Sequence, residues 1–264
     1  MKTIKGIFLL TVMLLTLYTL PSSAMITSEY PEKFEDGSHG ARIMREFVEG
    51  MDPMEAEMII DRQPDGSGHL NRIYMNLDRP LIGGVRLDNL SFEALDVQFN
   101  PVSEWGSSPV EVKDMLAVYA EGILLEDDIN RSLQSREFGG DEHWHDLKLD
   151  FRSSGISAKG YYLAEFIFKL DILIEINGEL AIRNKQQIWL DNYTLKVNRV
   201  DVPRRITDKA ISKIQPILDL SRFIFPLDLD SVEMDSKQIL IRSRYLPEKF
   251  DGIVYRYVNR EAGK

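Results

Sequence analysis

The sequence predicts an α+β fold in which a long, curved antiparallel β-sheet is wrapped on an amphipathic α-helix, elongated rather than compact. Three observations carry that expectation. Residues 166–182, FIFKLDILIEINGELAI, are apolar at every even position as far as Ile176, and each strand of the hairpin they begin, which runs on to residue 188, reads as about twice the common length. Residues 204–223, RRITDKAISKIQPILDLSRF, carry aliphatic side chains at helical spacing. Elsewhere the apolar residues recur mostly with a period of two.

The chain opens with MKTIKGIFLLTVMLLTLYTLPSSA, in which Lys2 and Lys5 precede an apolar run that ends in Pro21, Ser22, Ser23 and Ala24. This is the pattern of a secretory signal peptide cleaved after Ala24. The alternative is an uncleaved anchor, but the run is short for a bilayer and a small-residue exit site follows it. Residues 25–38 are polar, with Pro31 and Gly37, and read as a loose leader. The folded domain is expected over residues 39–258, with a tail at 259–264.

Ser38 can cap a helix whose apolar side carries Ile43, Met44, Phe47, Val48 and Met51, with Gly50 near its end. The period then changes to two, through Met54, Ala56, Met58 and Ile60, then Ile73, Met75 and Leu77, then Val85 and Leu87, then residues 92–99. Residues 115–125 are apolar on both faces, and we read them as strand. Glu126, Asp127 and Asp128 suit the positive end of a short helix carrying Ile129 and Leu133. A metal or acid/base site is the alternative for these three carboxylates.

Beyond Gly139-Gly140, Leu147, Leu149 and Phe151 mark a strand, Ser153-Ser154-Gly155 a turn, and Ile156, Ala158 and Gly160 a second strand. Gly160 inside a strand pattern suggests a bulge or a bend. For residues 166–188 we expect a hairpin. A three-residue loop at 176–178, with Gly178 left-handed, sets Ile174 beside Leu180, Ile172 beside Ile182 and Phe166 beside Ile188. A strand over 193–202 ends at Pro203. The long helix follows, with Ile206, Ala210, Ile211, Ile214, Ile217, Leu218 and Phe223 on one side and a kink or break expected at Pro216. Residues 224–258 return to strands through Val232 and Met234, then Ile239 and Ile241, then Ile253, Tyr255 and Tyr257.

Composition excludes several functions. The chain of 264 residues has 32 basic and 42 acidic side chains, a net charge of −10. Without the two signal lysines the balance is 30 to 42, or −12. Nucleic acid is not an expected partner, and adsorption of the whole surface to an anionic bilayer is disfavoured. The sequence holds no cysteine, hence no lipobox thiol and no disulfide framework. Asn-x-Ser/Thr triplets begin at Asn89, Asn130 and Asn192, but a cysteine-free exported chain favours a bacterial envelope over a glycosylating pathway.

No nucleophile elbow or phosphate-binding loop is visible, so no enzyme activity, catalytic residue or cofactor is expected. His143 and His145 in DEHWHD are the best metal candidates, yet a polar turn before a strand has the same composition, and no metal site is expected. Asp228 and Asp230 begin like a calcium loop, but Val232 stands at the third ligand position.

The remaining candidate is an apolar groove between sheet and helix, suited to acyl chains. Its walls would be Phe166, Phe168, Leu170, Ile172 and Ile174 on one strand and Leu180, Ile182 and Ile188 on the return. Ile206, Ile211, Ile214, Phe223 and Phe225, from the helix and its exit, would face them. If sheet and helix pack tightly, the same residues are ordinary core.

The stretches VRLDNLSFEALDVQF (85–99), LLEDDINRSL (124–133) and GISAKGYY (155–162) carry a resemblance. The hairpin ending in NGELAI, KVNRVDVP (196–203) and RFIFPLDLDSVEMDSKQILIRSRY (222–245) extend it. In that order they resemble the LmeA-like phospholipid-binding family of the bacterial envelope, itself similar in shape to tubular lipid-binding domains. The likeness spans roughly residues 40–258 and is one of pattern and order, with no catalytic motif. Asn130 and Leu133 match the family's short helix, and Gly160 its strand glycine. The resemblance implies an elongated periplasmic or envelope protein of lipid-binding type, with phospholipid or another acyl-chain lipid as partner and transient membrane contact. Two other readings stand beside it: a structural or interaction module filled by its own side chains, and a glycolipid enzyme using scattered carboxylates.

Overall fold

The structure, a computed structural model, describes residues 29–30, 37–82, 85–135, 143–153, 155–165, 169–212, 215–221, 225 and 227–259. The expected signal peptide lies outside the described residues, as do Phe166, Phe168, Ile214 and Phe223 of the expected groove.

The first half contains β1 (Glu29–Tyr30), α1 (His39–Met51), β2 (Glu55–Ile60), β3 (His69–Asp78), β4 (Leu81–Ile82), β5 (Val85–Arg86), β6 (Asn89–Phe99), β7 (Val112–Asp114), β8 (Ala117–Leu125) and α2 (Glu126–Ser135). It continues with β9 (Trp144–Arg152), β10 (Gly155–Glu165), β11 (Lys169–Arg183), β12 (Gln187–Val197), β13 (Val200–Asp201), α3 (Arg204–Ile211) and β14 (Leu218–Asp219). The chain closes with β15 (Leu229–Met234), β16 (Gln238–Ser243) and β17 (Ile253–Val258).

A nine-stranded sheet runs in the order β1-β17-β2-β3-β6-β8-β16-β15, with β7 beside β6. A six-stranded sheet runs β13-β12-β11-β10-β9, with β14 added to the edge of β12, and β4 pairs with β5. All pairings are antiparallel except β1 with β17, which brings Glu29 and Tyr30 of the expected leader into the first sheet. The protein is thus mostly antiparallel β-sheet with few helices, and it includes a sheet curled into a half-barrel.

The helix at the centre of the larger core is α1. Its Ser38 hydroxyl accepts the Ala41 N–H at 3.2 Å and lies 3.1 Å from the Tyr255 hydroxyl. Gly40 is needed for this docking, because a Cβ there would fall 2.4 Å from that hydroxyl. Phe47 of α1 stacks on Phe225 at 5.5 Å between centroids and packs against Phe92 at 5.5 Å, while Phe92 and Phe225 stand 5.1 Å apart. Each such ring removed from water contributes about 1.5–3 kcal/mol.

Three expectations are corrected. The first concerns the hairpin: β11 runs for fifteen residues straight through Asn177-Gly178, roughly 50 Å at the usual rise. Ile172 faces Tyr162 of β10, not Ile182, and Ile188 faces Ile182, not Phe166. The turn comes later, at 184–186, where Asn184 and Lys185 both have positive φ (51° and 58°). Gly178 is not left-handed; instead, a Cβ there would meet the Leu190 side chain at 2.7 Å. Neighbours on both sides of β11 hold it extended, and that pairing outweighs a local Asn-Gly turn preference.

The second correction is the long helix. α3 stops at Ile211, well before Pro216, and the chain beyond joins the edge of β12. The Gln215 side chain accepts the Leu190 N–H at 3.3 Å and donates to the Leu190 carbonyl at 2.9 Å, in place of a strand. The third is that the described contacts put α1, not α3, against the nine-stranded sheet, whereas α3 packs on β12.

The parity of the long strand survives. Ile174 pairs with Val197 and Ile176 with Leu195, and after a register shift between Asn177 and Glu179 Leu180 pairs with Leu190 and Ile182 with Ile188. β12 carries one extra residue at this bulge, at 192–193, so the even positions of β11 keep one face throughout. A second shift, between Lys159 and Tyr161, puts the extra residue on β9, at 146–147, so the bulge lies in the strand opposite Gly160 and not at the glycine itself.

Candidate functional site

Between the two sheets lies a cavity of about 90 Å³ whose lining is wholly apolar. The smaller sheet contributes Leu149, Phe151, Ile156, Leu180, Ile188 and, from β14, Leu218, and the larger one Leu124, Ile239 and Ile241. Val85, Ile129 of α2 and Ile217 complete the wall. Alternation builds it, since Ile239 and Ile241 of β16 are both buried while their neighbours face the other way. Next to it is a hollow of about 20 Å³, lined partly by Leu87, Leu90, Leu220 and Leu227, that shares Leu218 and Ile241 with the first.

Polar groups outside the cavity tie α2, which supplies Ile129 to its wall, to β9. The Asn130 amide donates to the Leu149 carbonyl at 2.7 Å and accepts the Leu149 N–H at 2.8 Å, and Glu126 accepts the Phe151 N–H at 2.5 Å. Asp128 is buried, with Arg79 bidentate on it at 2.9 and 3.2 Å and Arg131 as a further partner. Burial pushes its carboxyl up, but the guanidinium hydrogen bonds outweigh this and hold it below the ordinary range. Glu126 and Asp128 thus have structural partners, in keeping with the helix-start reading.

His145 is likewise occupied. Its ring lies 3.0 Å from Asp171 of β11 and 3.1 Å from Asp146, and stacks on Tyr161 at 5.5 Å. Hydrogen bonds to Asp171 and then Asp146 raise its pKa. A raised pKa means that the contribution of this contact is complete below the ordinary histidine value and disappears as pH climbs through the raised one. An NMR titration should place the His145 midpoint above 6.5, the ordinary value, and Asp171→Asn should bring it back down. A midpoint unmoved by Asp171→Asn would remove the pairing. Among the described residues no group of three or more histidine or acidic side chains could hold a metal ion.

The expected groove residues separate into distinct places. Leu180 and Ile188 line the cavity, and Ile182 packs beside them at the same end of β11. Ile172 and Ile174 are half-buried farther along the same face, where Leu170 is exposed. Ile206 is exposed, whereas Ile211 is buried. Phe225 belongs to the aromatic core around Phe47. The walls from Leu124, Ile129, Ile239 and Ile241 were missed as site residues, although the alternating aliphatics of β16 were legible and β8, apolar on both faces, was read as strand.

A family model described as LmeA-like phospholipid-binding matches residues 66–244. The chain belongs to that family. Every residue lining the main cavity falls within the LmeA-like span, which starts after α1 and β2 and ends before β17. LmeA-like domains are lipid-binding domains and not a known enzyme family. No curated protein and no solved structure matches the chain.

Proposed function

We propose that this protein is an exported envelope protein that holds a phospholipid, or a similar acyl-chain lipid, with acyl chain seated between the two sheets. Its role would be lipid transport or envelope maintenance, without covalent chemistry. The observation that carries this reading is the wholly apolar cavity whose walls all lie inside the phospholipid-binding span. Export and an extracytoplasmic location rest on the signal-peptide pattern of residues 1–24.

Size sets a condition. An apolar cavity of about 150 Å³ admits benzene, and this one measures about 90 Å³. A phospholipid therefore requires the sheets or the Ile217–Leu218 segment to part. The smallness favours a second reading, a structural or interaction module filled by its own side chains.

Native mass spectrometry of gently purified protein, followed by lipid identification, decides between them. The wild type should carry acyl-chain lipid, and Leu180→Trp, which fills the cavity, should lose it with little change in melting temperature. Wild type without lipid, together with a Leu180→Trp protein weakened by about 1–3 kcal/mol as an overpacked core would be, leaves the interaction module as the answer.

A further inference from the structure

The end of the smaller sheet away from the cavity has a composition unlike the rest of this acidic protein. Asn198 and Arg199, with positive φ of 49° and 67°, form the two-residue turn between β12 and β13. Asn198 also caps the edge of β11, accepting the Leu173 N–H at 3.0 Å and donating its own N–H to the Leu173 carbonyl at 2.8 Å. The turn thus sits beside the first residues of β11, and α3 starts a few residues later.

Three aliphatic side chains there face solvent: Val200 (69% exposed), Ile206 (58%) and Leu170 (43%). Residues 196–209 hold five basic and two acidic side chains in a chain of net charge −10. Lys196 pairs with Asp201 at 3.6 Å and Arg204 with Asp208 at 2.8 Å. Arg199, Arg205 and Lys209 are exposed and have no carboxylate partner among the described residues.

We propose that this tip, built from the β12–β13 turn and α3, docks the protein on an anionic phospholipid bilayer. Aliphatic side chains ringed by unneutralised cations suit the boundary between headgroups and acyl chains, where each cation near the surface contributes attraction and each aliphatic group leaves water. A nucleic acid would use the cations but gain nothing from Val200 or Ile206. The tip also continues the face that bears the cavity: Val200 pairs with Val197, Val197 with Ile174, and the even face of β11 runs on to Leu180. The proposal stands whether or not the cavity carries lipid.

Cosedimentation of the purified protein with vesicles tests it, comparing phosphatidylcholine alone with a phosphatidylglycerol mixture. Binding should require the anionic lipid and weaken as salt rises. Arg199→Glu with Arg205→Glu should lower it by roughly 25-fold or more, since each cation near the surface is worth about fivefold. Val200→Ser with Ile206→Ser should weaken binding while leaving its salt dependence unchanged. Tyr245→Glu, in the exposed Leu116–Tyr245 patch of the other sheet, should bind like wild type. All these positions are exposed, and unchanged melting temperatures should confirm folding. The idea fails if wild type ignores anionic vesicles, if the charge reversal binds normally, or if Tyr245→Glu is the variant that releases them. It also fails if the serine pair binds as wild type does and heparin displaces the protein, which would make a soluble polyanion the occupant.

Discussion

Phe225→Ala is expected to cost about 3–5 kcal/mol of stability, the range for emptying an aromatic site in a packed core. Lipid carried per folded molecule should not change. Phe225 is 0% exposed and touches Phe47 of α1 and Phe92 of β6, so its ring joins the helix to the larger sheet. Truncation leaves a void bounded by two rings that their own neighbours hold in place, and the site has little freedom to collapse. Urea unfolding measures the loss, and mass spectrometry of the folded fraction measures the lipid. Full stability combined with lost lipid would move Phe225 from the core to the binding site, where the sequence alone had put it.

Asp128→Ala should cost about 3 kcal/mol, the low end of the range for breaking a buried ion pair. The carboxylate is fully buried, but its partner Arg79 is 25% exposed and can recover some hydration. Asp128→Asn keeps the shape and should cost less. Because the folded carboxyl titrates below its ordinary value, its contribution is complete above the unfolded pKa of about 4 and is lost as pH falls from there through the depressed value. Wild type should therefore lose stability in that acidic window, and Asp128→Ala should lose less of it. Acid and urea titrations of both proteins check this; parallel curves would show that Asp128 plays no part in the acid transition.

Local signals read well where local structure decided the outcome. Ser38 caps α1 and the acidic triplet opens α2, each through chemistry within a few residues, whereas the bulge suspected at Gly160 lies across from it in β9. Alternation also identified one face of β11 correctly. What failed were inferences that long-range pairing overrules. Asn177-Gly178 has hairpin chemistry, yet β10 and β12 bracket it and draw it straight. The aliphatics of 211–223 fall at helical spacing, yet Gln215 and Ile217 find the unsatisfied backbone of the β12 edge. The site was half legible for the same reason. Leu180 and Ile188 follow from strand parity, whereas the opposite wall belongs to β8 and β16, distant in sequence and indistinguishable by pattern from any other buried strand.

Leu218 and Ile241 stand between the two apolar hollows, and they differ in how firmly they are held. Ile241 lies within β16, with β15 on one side and β8 on the other, so displacing it means unzipping the larger sheet. Leu218 belongs to a strand of two residues at the edge of β12, tied there by Ile217 N–H to the Ile188 carbonyl at 2.8 Å and Leu220 N–H to the Gln186 carbonyl at 2.9 Å. Local opening free energies follow such differences in attachment. The partition is therefore held unevenly, with Ile241 paired on both flanks and Leu218 at a two-residue sheet edge. Any widening between the hollows is expected to begin on the Leu218 side.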